Sequence, residues 1–375
     1  MTTNGTMTSI ERVDKAVNLE EADRIPICFL MDYYYANCAK ISPWKYVMDD
    51  FNIAANAVEH TYNYHGGDLD LVHVPMGRIY SFYDPVPVAH SGYFSELRIP
   101  KYIGGSLQFV EEPVLDITDF RKIYEHGFSI LWKKVPIPKV RQTQMEFIKI
   151  RKFINYWQDI KKVPIYTGSA MITPLETLSY LLGIKRFSRY IRTHKEDIKQ
   201  MCEFMWRGML ATEKLLKQIT NVKRAYLCLE RVSSSFISPK QFDELVFPYI
   251  EKFCKNNQKD GYTNLFHMDT DWGLVLERFN ELPKGKYILH LEMTDIFRAK
   301  KIVGDKMCLM GNISPTLQKI GSPNEIEKYV QRLIEEVGPG GGYLLGSGCE
   351  VASDAPPENI QLIIDYVKKH GVYQK

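Results

Sequence analysis

Short runs rich in β-branched and other apolar residues alternate along the chain with longer stretches whose apolar positions recur at helical spacing. That is the pattern of a parallel sheet wrapped by helices. Eight runs predict strands: Ile25 to Leu30, Leu69 to Val74, Val163 to Thr167, Ala225 to Leu229, Asn264 to Met268, Tyr287 to Leu291, Met307 to Met310 and Tyr343 to Gly346. Between several of them helices are legible at Ser188 to Gln218, where THKEDIKQM suggests a start capped by Thr193, at Pro239 to Lys255, and at Pro323 to Val337. Eight strands in strand–helix–strand order predict one α/β domain over residues 1–375, a (β/α)8 TIM-type barrel. Residues 76–115 break the rhythm by alternating aromatic and polar positions around Pro and Gly. They read as a β-hairpin inserted after the second strand.

Composition narrows the function classes. The chain has 375 residues, 45% of them hydrophobic and 25% charged, enough to bury a large core in one unit. Its net charge is only +3, with both signs interspersed, so no nucleic-acid footprint is drawn on it. The densest basic run, Lys133 to Arg151, reads as a solvated helix face, with partner docking as the alternative. Seven cysteines, odd in number and without a CxxC pair, argue against a disulfide framework and for a reducing compartment. With no signal-like N-terminus and no long apolar span, the expected location is the cytoplasm.

The C-terminal third carries a family likeness. MCLMGNISPTLQKIGSPNEIEKYVQRLIEEVGPGGGYLLGSGCEVASDAPPENIQLIIDYV and SSSFISPKQFDELVFPYIEKF resemble the uroporphyrinogen decarboxylase superfamily, and VPIYTGSAMITPLETLSYLLG is similar to its strand and following helix. The decarboxylases of that superfamily bind a polycarboxylated tetrapyrrole with paired arginines in an N-terminal segment and use an aspartate after the second strand. Here ICFLMDYYYANC has no arginine, and His73 stands where the acid is expected. The chain more closely resembles the corrinoid-dependent methyltransferase branch, which holds zinc with a His-x-Cys pair after the fifth strand and a further Cys after the last. Of these it has His267 and Cys349, with Asp269 in place of the second thiolate.

The likeness implies Zn²⁺ held by His267, Cys349 and a carboxylate, either Asp269 or Glu230. His267 and Asp269, two apart on a strand, would face the same side, and Cys349 arrives at the same end of the barrel. The carboxylate that does not ligate would serve as an acid, so Glu230 and Asp269 are the catalytic candidates. Asp269 could instead cap a helix in TDWGLVLERF, and Glu230 could pair with Arg231 or Arg224. His73 and His290 read as hydrogen-bonded core residues. Tyr33, Tyr34, Tyr80 and Phe82 lie where a pocket for a flat ring should be, and core packing is their alternative. The activity implied is methyl transfer from a methoxylated, aryl ether substrate to the Co(I) of a corrinoid (cobalamin) carried by a partner protein. Transfer to a thiol is second, porphyrinogen decarboxylation third, and a non-catalytic binding barrel the reading from another class. A homodimer is compatible with all of these.

Overall fold

The computed structural model describes residues 7–75, 111, 113–127 and 140–374. Six parallel strands pair in sequence order: β1 (Ser169–Ile172), β2 (Arg224–Leu229), β3 (Thr263–Met268), β4 (Lys286–Leu291), β5 (Cys308–Ile313) and β6 (Tyr343–Ser347). β2, β3, β5 and β6 are buried along their whole length, as expected for a parallel sheet covered on both faces.

Beyond β6 the sheet continues through single bridges. Ile27 and Leu30 pair with Leu345 and Glu350, and Val72 pairs with Ile165. Asp70 N–H donates to Ile27 O (2.8 Å), Tyr166 N–H to Val72 O (2.7 Å) and Gly168 N–H to Arg224 O (2.9 Å). These bonds lead from β6 back toward β1, which makes the α/β domain TIM-barrel-like. Two of the eight expected strands, 25–30 and 69–74, are therefore single-bridge segments, and the third is displaced to Ser169–Ile172. Pro26 and Pro164 lack the N–H a ladder needs, which accounts for the gaps at 25–30 and 163–167. At Gly346 the backbone of 25–30 comes so close that a Cβ would lie 1.9 Å from Cys28 O; any larger residue would open this seam. The expected hairpin lies outside the described residues.

The helices depart from expectation where caps and prolines decide. The expected 188–218 helix is two, Pro174–Thr193 and Lys195–Thr220, with His194 and not Thr193 at the second N-cap. Thr193 Oγ1 is committed to Arg189 O (3.1 Å) and His194 Nδ1 (2.8 Å). The expected 239–255 helix splits at Val246, because Pro248 fits only the first turn of a new helix. Pro323–Glu336 forms as expected under a Ser322/Glu325 capping box. In the basic run, helix Val140–Asn155 uses Lys149 to pair Asp50 (2.5 Å) and Arg151 to bond Ile219 O (3.0 Å). All seven cysteines are free thiols. Among the described residues no helix is long and apolar enough to cross a membrane.

His73 is a fully buried core residue, as expected. Its Nε2 accepts from Met31 N–H and Asp32 N–H, both at 3.0 Å, and its Nδ1 donates to Val74 O (3.2 Å). Burial pushes its pKa from 6.5 down to about 4. Within that window the unfolded chain binds a proton that the folded one refuses, so stability falls as pH drops from 6.5 toward 4. Between pH 7 and 4.5, urea titrations should show the wild type losing about 2 kcal/mol more than His73→Gln, which keeps the acceptor but does not titrate. Parallel losses would show that His73 is not the group responsible.

Candidate metal centre at the mouth of the sheet

Register builds the site. Cys228, His267 and His290 are direct partners across β2, β3 and β4, so they share a face. Two residues further along each strand, on the same face and toward its C-terminal end, come Glu230, Asp269 and Glu292. Tyr226 stacks on His267 (5.8 Å between centroids), and Tyr166 meets both Tyr226 and His290 edge-on, so aromatic rings floor the site. Cys349 reaches it from the GSGCE turn after β6.

His267 Nε2 lies 3.1 Å from Asp269 Oδ1 and 3.6 Å from Cys349 Sγ, and one ligand atom from each of the three residues falls within 4.8 Å of the others. A tetrahedral zinc with bonds of ~2.0–2.1 Å to N and O and ~2.3 Å to S separates neighbouring ligand atoms by ~3.3 Å (N and O) and ~3.6 Å (N and S). The spacing fits. Asp269 Oδ1 is buried and has the His267 imidazole beside it, so the oxygen and nitrogen that pair with each other are the ones a cation would bridge. The residues His267, Asp269 and Cys349 could therefore hold a metal ion.

The electrostatics agree. Burial works against charge on His267, yet the Asp269 carboxylate, with Glu230 and Glu292 behind it, raises the imidazole above its ordinary pKa. Burial opposes charge on Asp269 too, and His267 overcomes it, holding that carboxyl below its ordinary value. Burial and then the charges of Asp269, Glu350 and Glu292 push the Cys349 thiol well up. Without a cation the sulfur keeps its proton. His290 is pulled down to about 3 by burial and by His267, and so stays neutral.

The structure separates the two carboxylate candidates. Asp269 joins His267 and Cys349; Glu230 stands beside them, accepting from Tyr180 OH and from Cys228 Sγ (3.0 Å). No helix starts at Asp269: the next element is a 3₁₀ turn, Leu276–Glu281, with Val275 at its N-cap. Arg231 pairs with Glu111 (2.7 Å) and Arg224 Nε donates to Ile165 O (2.8 Å). Beneath Glu230, Glu176 accepts from Glu230 N–H (3.0 Å) and Arg231 N–H (2.7 Å); burial and the Glu230 charge raise its pKa to about 8. At neutral pH Glu176 thus retains a proton next to Glu230.

The tyrosines divide. Tyr33 packs on Tyr46, and its hydroxyl, raised by burial, feels Asp32 and Glu350 at the mouth. Tyr34 is turned the other way, donating to His65 Nε2 (3.0 Å), whose Nδ1 in turn donates to Gln361 Oε1 (2.9 Å) on helix Pro357–His370. Tyr80 and Phe82 lie outside the described residues. Sequence reasoning missed Tyr180, Glu176, Glu292 and Glu350. The available signal was register, since LFHMD and ILHLE place His and acid at matching positions of neighbouring strands.

A family profile described as Uroporphyrinogen decarboxylase (URO-D) matches residues 133–370. A uroporphyrinogen decarboxylase of Pseudoalteromonas atlantica is 38% identical over 141 residues, 36% of this chain and 38% of that protein. One from Chlorobium luteolum is 31% identical over 186 residues, 45% of this chain and 52% of that protein. Thus the chain spans about half or less of the length of these relatives. A third, from Geotalea daltonii, is 27% identical over 298 residues, 74% and 78% of the two chains. Among solved structures, a methyltransferase from Methanosarcina mazei superposes with a TM-score of 0.70 at 16% identity over 97% of this chain and 99% of that one, a likeness of fold.

Proposed function

Given that this chain belongs to the uroporphyrinogen decarboxylase (URO-D) family, we propose that within it the chain is a metal-assisted methyltransferase rather than a decarboxylase. Its substrate would be a methoxylated small molecule, an aryl methyl ether such as a methoxyphenol, and its methyl acceptor the Co(I) corrinoid of a separate carrier protein. The observation that carries this reading is the meeting of imidazole, carboxylate and thiol at spacings suited to one tetrahedral cation. We extend it to an eight-stranded barrel closed through the 25–30 and 69–74 segments.

In this reading His267, Asp269 and Cys349 hold zinc. When bound, the metal would supply Lewis acidity toward the ether oxygen, stabilising the charge left there when the methyl group is given up to the carrier's corrinoid. The chain's own groups do the rest. Glu230, a half-buried carboxylate that accepts from Tyr180 and Cys228, takes up a proton from solvent and passes it to the product oxygen. Tyr33 and the aromatic floor of Tyr166 and Tyr226 orient the ring and exclude water.

The names of the relatives favour decarboxylation as the second reading. Against it stands the crowding of carboxyls at this end of the sheet: burial and then the charges of Asp32, Asp269 and Glu230 already push Glu350 well above its ordinary value, so a polycarboxylated substrate would bring further negative charge to a place that resists it. The test mixes the chain with a reduced corrinoid carrier and a panel of donors and follows the Co(I) to methyl-Co(III) spectrum. Turnover of aryl methyl ethers supports the proposal; turnover with thiols alone, or CO₂ release from uroporphyrinogen, overturns it. Asp269→Cys supplies a second thiolate and softens the metal, so zinc affinity should rise, and ether turnover fall, on the order of tenfold. Equal ether turnover would mean that the carboxylate does not set metal hardness.

A further inference from the structure

We infer that His290 is a positioning residue that dictates which nitrogen of His267 faces the cation, an inference that rests on the metal-centre reading above. His290 is fully buried and sits beside His267, its register partner. Its Nε2 is 2.8 Å from the carbonyl oxygen of Ser347. A carbonyl can only accept, so Nε2 carries the hydrogen. A second hydrogen, on Nδ1, would put a full charge in a buried ring to which no carboxylate is bonded, an arrangement interiors avoid. Nδ1 is therefore a bare lone pair.

Two groups face that lone pair, the Tyr166 hydroxyl at 2.7 Å and His267 Nδ1 at 3.0 Å. Two bare nitrogens at that separation would repel, so His267 carries its hydrogen on Nδ1 and donates it to His290, sharing the acceptor with Tyr166. His267 Nε2, on the far side of the ring, is the atom that meets Asp269 and Cys349. The chain of consequence begins at the Ser347 main chain, at the end of β6. The same strand delivers Cys349 two residues later, so one strand end supplies a ligand and sets the tautomer of another.

The test is zinc affinity, read by competition with a chromophoric chelator. His290→Phe keeps a ring and removes both nitrogens, and should weaken zinc binding about 10- to 100-fold. His290→Gln, whose amide offers an acceptor and a donor side by side, should recover most of that loss. An unchanged affinity in folded His290→Phe overturns the inference. Should that variant fail to fold, long-range ¹H–¹⁵N spectra of the zinc-loaded wild type decide: hydrogen on His267 Nδ1 supports it, and hydrogen on Nε2 overturns it. A wild type that binds no zinc overturns the metal centre itself; wild-type binding with an indifferent His290→Phe overturns only the tautomer control.

Discussion

Cys349→Ser is expected to yield a folded protein that retains less than about a tenth of an equivalent of zinc after dialysis and transfers methyl groups on the order of a thousandfold more slowly, since a hydroxyl cannot stand in for a thiolate ligand. Cys349 lies in the turn after β6, half buried, so little packing is lost with its sulfur. What goes is one of three donors. The remaining pair, His267 and Asp269, already satisfy each other as an ion pair 3.1 Å apart and would close on themselves. Metal analysis and the cobalt spectral assay read the two effects separately, and a thermal melt confirms the fold. A serine variant that kept zinc and full activity would place the chemistry elsewhere.

At the opposite end of the sheet, Asp70→Ala should lower the unfolding free energy by about 2–3 kcal/mol, because it takes this carboxylate from half-buried Arg24 and one of two carboxylates from buried Arg12, which keeps Asp23. Asp70 is 1% exposed and accepts from Arg12 Nη1 (2.5 Å), Arg24 Nη1 (2.5 Å), Ser9 Oγ (2.8 Å) and Ile27 N–H (2.8 Å). It ties helix Ser9–Val17 to the 25–30 segment, which reaches the sheet only through single bridges and depends on such side-chain bonds. Urea unfolding monitored by circular dichroism measures the loss, and a drop below about 1 kcal/mol would mean that water replaces the carboxylate without penalty. Metal content should not change in the folded variant, since Asp70 sits at the N-terminal end of the barrel, where residues serve stability.

Much of this protein is legible in its sequence because parallel strands and helix caps are local signals. Runs such as LFHM and YLLGS are buried over their whole length and read as strands, and Ser322 with Glu325 announces a helix that forms where expected. The two-residue spacing of His267 and Asp269 likewise places both on one face with no knowledge of their neighbours. Local signals failed where they compete. Thr193 looked like a cap but bonds backward into its own helix, and a continuous apolar period concealed the break that Pro248 imposes.

What only the tertiary structure decided is which distant residues meet. Asp269 and Glu230 are equivalent by sequence, both acids at strand ends; the register of β2 against β3 and the approach of the GSGCE turn make one a neighbour of Cys349 and leave the other bonded to Tyr180. Tyr33 and Tyr34 are adjacent in the chain, yet a helical step of about 100° sends one toward the mouth and the other to His65. His290 reads as a core histidine, which it is, and only the pairing of β3 with β4 sets it against His267. Sequence specifies the face on which each side chain stands, because that follows from local backbone geometry. Which faces look at one another follows only from strand pairing and closure, long-range events that no single stretch encodes.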